Sequence, residues 1–326
     1  MSSRRWTGSS QTSEVDSTRA TVVTPRLRRP AERRGGGPLA GEGRWAAAFL
    51  APTLLGLAVL SAGPILATLA ISLTKWDLLT APKLAGLDNY LALLTDDRFL
   101  KALRNTFFYT IVSVPIGLTI ALGLALALNT RVRGISFIRT AYFLPVVTST
   151  IAIALVWQWI YSKDSGLLNE VLGLVGISPQ KWLSDPTLAM PSIVAMSIWQ
   201  GLGVNVIIFL AGLQAIPTDL LDAASVDGAG TWARLRNVTL PLLTPSVFFT
   251  GVLGLIGSFQ VFDQIFVLIK PRPTEATITV VYFIYENGFK FFKMGYASAA
   301  SWILFLIVAL FTAIYFKSQN RWVHYQ

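Results

Sequence analysis

The chain has 326 residues, of which 53% are hydrophobic and 13% charged, where a soluble domain carries about 25% charged residues. It has no cysteine and one histidine, His324, which excludes disulfides, thiol chemistry and a thiolate or His-rich metal centre. The net charge of +10 is concentrated ahead of the first apolar run rather than on a domain face, which argues against a nucleic-acid partner.

Residues 1–44 hold nine arginines (Arg4, Arg5, Arg19, Arg26, Arg28, Arg29, Arg33, Arg34 and Arg44) among Ser, Thr, Gly and Pro. This composition reads as a disordered basic extension. Beside an apolar helix, such a segment is expected on the cytoplasmic side, drawn to anionic lipid. A polar region more than forty residues long before the apolar run does not fit a secretory signal.

Six apolar runs then follow, each near the ~20 residues a helix needs to cross a bilayer. They lie at about 45–73, 105–128, 138–160, 188–213, 244–269 and 297–316. In hydrocarbon, backbone groups must be paired within the segment, so each run is expected to be a helix. The ten-residue alternation of a membrane barrel is not seen. The expected fold is all-α, with a six-helix transmembrane domain over 45–317 and a tail over 318–326.

An even number of spans puts both termini on one side. That side would hold the nine arginines of the extension, Arg131, Arg133 and Arg139 of the second turn, Arg234 and Arg236 of the fourth, and Lys317 and Arg321. The opposite loops balance their cations with acids such as Asp77, Asp88, Asp96 and Asp97. The positive-inside rule therefore places both termini in the cytoplasm. Trp76, Trp157, Trp159 and Tyr161 fall at the opposite interface, where amphipathic rings are favoured.

The loop between spans four and five, residues 211–245, reads AGLQAIPTDLLDAASVDGAGTWARLRNVTLPLLTP. A short helix is expected first, with Thr218 as its cap and Asp219 at its positive end. Leu220, Leu221, Ala224 and Val226 supply apolar contacts. Gly228 breaks the helix and Gly230 permits a redirection. A second short basic helix over 232–238 leads to Pro241, and Pro241 and Pro245 are expected to reset the chain for span five. Chemistry alone leaves two readings open: a rigid elbow that transmits a partner's movement, and an ordinary amphipathic surface loop.

This segment resembles the EAA loop of binding-protein-dependent ABC importer permeases: Glu-Ala-Ala, three residues, Gly, then about a dozen residues to Leu-Pro. Asp222, Ala223, Ala224, Asp227, Gly228, Ala229, Leu240 and Pro241 stand in the matching places. Asp222 replaces the usual Glu, with the same charge and one methylene less. The resemblance extends over most of 45–326, to the carbohydrate branch that includes the maltose and glycerol-3-phosphate permeases. It is carried by Asn105-Thr106, Arg139, Leu144-Pro145, Trp157, Gly166, Asn169, Trp199, Gly201, Phe262-Asp263 and the ending Arg321-Trp322-Val323-His324-Tyr325. Lys270-Pro271-Arg272-Pro273 departs from the Gly-Gly-Pro often seen after span five.

The resemblance implies a type I ABC importer permease fold in a bacterial inner membrane. It implies that residues 214–241 form the coupling loop, with 218–229 as the helix that docks on an ATPase. The implied partners are a second permease subunit, two copies of an ATP-binding subunit and an extracytoplasmic solute-binding protein, with membrane lipid around them. No cofactor is implied. The chain lacks a Gly-x-x-x-x-Gly-Lys-[Ser/Thr] loop, so ATP hydrolysis is expected on a partner chain.

A sugar pathway needs hydroxyl and amide groups beside aromatic or small surfaces. Span four offers Ser197, Trp199, Gln200, Gly201 and Asn205; span five offers Gly254, Ser258, Gln260, Asp263 and Gln264. The resembled maltose permease favours Ser197, Gln200, Gly201, Gly254 and Ser258 as contacts. The stripe Ser246, Thr250, Gly254, Ser258 fits close helix packing and pore lining equally. Two other classes remain. An ion-coupled secondary transporter would carry intramembrane ion pairs and internal repeats, and Asp263 is the one clear acid in the predicted spans. A non-transporting membrane scaffold would use the elbow for docking alone.

Overall fold

The computed structural model describes residues 42–129, 135–269 and 274–323. Nearly all of the basic extension, Arg131 and Arg133, the Lys270–Pro273 segment, and His324 with Tyr325 lie outside the described residues.

The first compact unit ends at Val59, and its described part, residues 42–59, holds α1 (Glu42–Leu57), an apolar helix that contains Pro52. The Trp45 and Phe49 rings, one turn apart, lie 6.5 Å from each other. A π turn over Ala58–Ala62 precedes α2 (Gly63–Ser72), and the run Trp45–Ser72 is long and apolar enough to cross a membrane.

The second unit covers the rest of the chain. After α2 comes a small hairpin, β1 (Thr74–Lys75) paired antiparallel with β2 (Lys83–Leu84). The short helix α3 (Asp88–Leu94) leads to α4 (Asp97–Leu128), the second span. Asp96 caps α4: its Oδ1 accepts from the Arg98 and Phe99 N–H groups at 2.8 and 3.0 Å. This satisfies two of the orphan donors at a helix start and suits the positive end of the dipole.

The third span differs from the single helix expected over 138–160. It is a pair, α5 (Ile135–Val147) and α6 (Thr150–Ile160), and the axes of Thr140–Val147 and Thr150–Ile160 meet at 108°. Pro145 weakens the end of α5 by removing one backbone bond. Ser149 then takes an extended ψ of 132°, which ends the helix and starts the next. α5 packs on the fourth span and α6 on a short helix beyond the fifth, so each half of the broken span has its own partner.

The short α7 (Leu167–Leu174) precedes α8 (Ala189–Gln214), the fourth span. The elbow follows as α9 (Thr218–Val226) and α10 (Thr231–Arg234). A π turn over Leu235–Thr239 then leads into α11 (Leu240–Phe259). Span five thus begins earlier than the sequence suggests, because Thr231–Phe259 is one helical run. The prolines do not reset it. Pro64 and Pro241 each lie two residues beyond a π turn. A proline ring collides with the carbonyl four residues back, and a widened turn there relieves it without breaking the helix.

Span five also ends earlier than expected, at Phe259 rather than near 269. The chain turns at Gln260 into α12 (Asp263–Leu268), then passes through buried Thr277, Ile278 and Thr279 to α13 (Val280–Tyr285). A π turn over Glu286–Lys290 precedes α14 (Met294–Ser318), the sixth span. Among the described residues, five helices are long and apolar enough to span, and the bent pair α5–α6 makes a sixth.

α4, α8 and α11 pack against one another and bury two apolar clusters. One, near the end of α4, joins Ala121, Ala125, Phe209, Leu213 and Leu243. The other joins Phe99, Ile193, Met196, Phe259 and Phe283. At the start of α14, Gly295 lies so close to the Thr74 carbonyl that a Cβ there would collide with backbone. Gly295→Val is therefore expected to destabilise the purified chain by about 2–4 kcal/mol. Gly123→Ala, which points into open space in mid-helix, is expected to be neutral or stabilising by up to about 1 kcal/mol. Unfolding midpoints in detergent would check both, and equal midpoints for Gly295→Val and the parent chain would refute the close approach.

Candidate functional site

The elbow is built on a specific helix ending. The Ala229 N–H donates to the Ala224 carbonyl at 2.9 Å, and the Gly228 N–H donates to the Ser225 carbonyl at 3.1 Å. This paired closure needs a left-handed residue between them, and Gly228 has φ +78°. An L residue there carries about 1–2 kcal/mol of strain. Ser225 Oγ gives its proton to the Leu221 carbonyl at 2.7 Å and accepts from Arg234 Nη1 at 2.9 Å, tying the two arms together.

The N-terminal end differs from expectation. Pro217, not Thr218, is the capping position, with ψ 129° and no side-chain cap bond. Thr218 is already in helical conformation, so its hydroxyl cannot reach the free N–H groups as a cap would.

Ile216 is buried and Leu221 half-buried on the cluster formed by α4, α8 and α11, so the elbow is rooted in the bundle. Its other face is open. Val226 is 88% exposed, Trp232 71% and Leu220 45%. Asp222, Ala223 and Asp227 are exposed, Ala224 and Ala229 half-buried, and Asp222 has no ion pair among the described residues. Leu240 and Pro241, expected at the end of the loop, are half-buried in the first turn of α11.

Two cavities lie along the bundle. The first, of about 230 Å³, is lined by Ser197, Gly201 and Asn205 of α8 and by Gly254, Gly257 and Ser258 of α11. It therefore gathers five of the expected pathway residues from two spans. α4 supplies the remaining wall with Tyr109, Ser113 and Gly117, which the sequence reading missed. Their spacing of four residues on one helix face is the signal that would have found them. A Cβ added to Gly201 or Gly257 would meet nothing within 4 Å, so their surfaces are open, whereas one on Gly254 would meet Val114 Cγ1 at 3.3 Å.

The second cavity, of about 300 Å³, is lined by Tyr109, Thr150, Gly257, Gln260, Val261, Phe262, Asp263 and Gln264. Tyr109 and Gly257 border both spaces. Asp263 stands outside the span predicted to contain it, as the exposed first residue of α12. Gln200 lines neither cavity, but its Nε2 donates to Thr150 Oγ1 at 3.0 Å on the rim of the second. Trp199 also lines neither. It lies two residues from Ser197 and from Gly201, so it points off the opposite side of α8, 43% exposed and edge-on to Trp157 at 5.5 Å.

The small-residue stripe of α11 divides into two. Ser246 packs into Gly212 and Thr250 is fully buried, while Gly254 and Ser258 line the first cavity. Because the chain has no cysteine, this division is directly readable. Gly201→Cys and Ser258→Cys are expected to react with a small polar thiol reagent at least about tenfold faster than Thr250→Cys. Equal rates at all three would show that the cavity is closed to water.

Residues 97–323 match the family described as binding-protein-dependent transport system inner membrane component. The chain is similar to the probable ABC transporter permease protein YesP of Bacillus subtilis, with 38% identity over 86% of this chain and 91% of that one. It is 34% identical to the lactose transport system permease protein LacF of Rhizobium radiobacter, over 84% and 93% of the two chains. It is also 34% identical to the trehalose/maltose transport system permease protein MalF of Thermococcus litoralis, over 82% and 91%. Its fold matches a chain of the crystal structure of a bacterial alginate ABC transporter in complex with an alginate pentasaccharide-bound periplasmic protein. That match has a TM-score of 0.77 at 22% identity, covering 86% of this chain and 96% of that one. With its long apolar helices, its elbow and its cavities in place, the chain belongs to the family of inner membrane components of binding-protein-dependent transport systems.

Proposed function

We propose that this chain forms half of the translocation pathway for a sugar or sugar derivative, driven by a separate ATPase that grips the α9–α10 elbow. The observation that carries this reading is the single helical run Thr231–Phe259, which joins the elbow at one end to the first cavity at the other. A push on the elbow is a push on a cavity wall.

The cavity chemistry supports a polyhydroxyl cargo. Ser197, Asn205, Ser258 and the Tyr109 phenol offer donors and acceptors, and Gly201 and Gly257 let a sugar ring approach the backbone. Lactose and trehalose/maltose are named as cargo for two relatives. In this reading a second permease subunit completes the pathway, two ATP-binding subunits take the two elbows, and an extracytoplasmic solute-binding protein delivers cargo. Both termini lie in the cytoplasm, on the elbow's side.

The elbow supplies an apolar knob on a rigid base. Burying a side chain the size of Val226 or Leu220 in a partner groove contributes about 1.5–3 kcal/mol. ATP binding would close the ATPase pair, draw the elbows together and open the pathway outward, and hydrolysis would reset it.

The test is uptake into vesicles holding the complete transporter, with the binding protein and a labelled oligosaccharide outside and ATP inside. Gly228→Pro removes both the positive φ and the N–H bond to Ser225, and Asp222→Arg reverses charge on the exposed face. Each is expected to lower uptake and binding-protein-stimulated ATP hydrolysis by at least about tenfold, equivalent to ~1.4 kcal/mol of docking, with membrane insertion unchanged. Normal uptake in both variants would remove the elbow from the mechanism. Uptake by this chain alone on an ion gradient would replace the reading altogether.

A further inference from the structure

A further cavity, of about 480 Å³, shares no lining residue with the two cavities of the candidate pathway. It lies between the β1–β2 hairpin and the start of α14, where α2 ends and α14 begins. Its walls include Lys75, Trp76, Lys83, Asn287, Phe292 and Lys293, with Asp77 and Asp96 also on its border.

The polar groups here are unevenly satisfied. Asp77 Oδ1 accepts from the Leu79 and Thr80 N–H groups and the Thr80 hydroxyl, and these donors, Thr80's backbone foremost, hold its carboxyl below the usual range. Asp96 caps α4 and accepts from Tyr296 Oη at 2.7 Å. Lys75 pairs with Asp88 at 2.9 Å. Lys83 and Lys293 have no carboxylate partner among the described residues. The site is thus a cavity with two uncommitted ammonium groups, one on each side.

The backbone on both sides is strained. Among the described residues, only Leu78 (φ +67°) and Phe292 (φ +55°) are non-glycines in the left-handed region. Leu78 follows the cavity residue Asp77, and Phe292 lines the cavity itself. Such strain persists where surrounding structure enforces it, and it gathers at ligand clamps. The Met294 N–H donates to the Trp76 carbonyl at 2.9 Å and fastens the two strained loops together.

Exposed apolar residues flank the lining. On the hairpin, Leu79 (84% exposed) adjoins the lining residue Thr80 and Leu84 (86%) adjoins Lys83, and Phe291, itself part of the lining, is exposed on the opposite side. The cavity lies beside the end of the run Trp45–Ser72 and the start of the run Met294–Arg321, where two candidate spans are expected to reach a bilayer interface. A cationic pocket with a skirt of leucine and phenylalanine at that depth fits an amphiphile better than a free sugar.

We propose that this cavity binds the headgroup of an anionic phospholipid in the leaflet opposite the C-terminus, with its phosphate between Lys83 and Lys293 and its acyl chains along Leu79, Leu84 and Phe291. The site is independent of the transport reading.

The test uses the purified full-length chain in non-ionic detergent, with lipid retention read by native mass spectrometry and unfolding midpoints read in parallel. Phosphatidylglycerol is expected to be retained and to raise the midpoint, while phosphatidylcholine and inorganic phosphate at equal concentration do neither. Lys83→Gln with Lys293→Gln is expected to weaken phosphatidylglycerol binding about thirtyfold, from about fivefold per lysine at a membrane surface. Leu79→Ser with Leu84→Ser probes the skirt and keeps the test open should the lysine variant fold poorly. Unchanged phosphatidylglycerol binding in either well-folded double variant would overturn the proposal. Equal protection by inorganic phosphate, or by an acidic oligosaccharide, would overturn it as well and identify a soluble anion as the ligand.

Discussion

A backbone N–H or C=O left unpaired in hydrocarbon costs several kcal/mol, and that constraint governs where this chain can interrupt its helices. The long segment between α11 and α14 is the main interruption, and side chains of α4, of α6 and of the segment itself answer it. Asn105 of α4 donates through Nδ2 to the Glu275 and Ile278 carbonyls, both at 2.9 Å. Thr106 Oγ1 accepts from the Val280 N–H at 3.1 Å. Gln158 of α6 donates to the Val267 carbonyl at 3.3 Å, and Thr279 Oγ1 to the Val261 carbonyl at 3.1 Å. The backbone around Val261, Val267 and Ile278–Val280 is therefore held inside protein, and the second cavity opens beside it at Gln260–Gln264.

Much of this was legible because membrane helices announce themselves by length and apolarity. The starts and ends of spans one, four and six fall close to those read from the sequence. The elbow's shape was legible for another reason: a glycine after a short helix signals a left-handed ending, and Gly228 does take that turn. Two of the misses share one cause. The polar residues at the bends, Thr148-Ser149-Thr150 after Pro145 and Gln260, Asp263 and Gln264, were counted as polar residues within a span, so the 108° turn at Thr148–Ser149 and the end of α11 at Phe259 were passed over. Pro241 and Pro245 pointed to a reset that a π turn makes unnecessary.

The pathway residues were legible only in part. Polarity picked out Ser197, Asn205 and Ser258, which border the first cavity, since a polar group in a span needs a polar or open surface. Trp199 was drawn in by its type, although helix geometry turns it away from Ser197. Tyr109 escaped because a tyrosine in an aromatic-rich span reads as core, and it is in fact buried. Its position between two cavities is a property of the assembled α4, α8 and α11, which no single segment encodes.

In the proposed mechanism, the same α11 would make elbow and cavity parts of one device. A helix transmits a displacement along its length only if both ends are fixed to something that moves with it. At the elbow end, Arg234 is tied to Ser225 and Ile216 is sunk in the bundle. Farther along, Gly251 packs on Tyr315, and the Phe248 and Tyr315 rings stack at 5.1 Å with Trp322 beside them, fastening α11 to α14 and the chain's end. Between these anchors lies the π turn Leu235–Thr239, where i→i+5 bonds interrupt the α-helical ladder. In the proposed mechanism, a displacement of the elbow would be carried past that turn along the continuous run to the far end of α11, which holds Gly254 and Ser258. On that reading the shape of the first cavity would follow the position of the elbow.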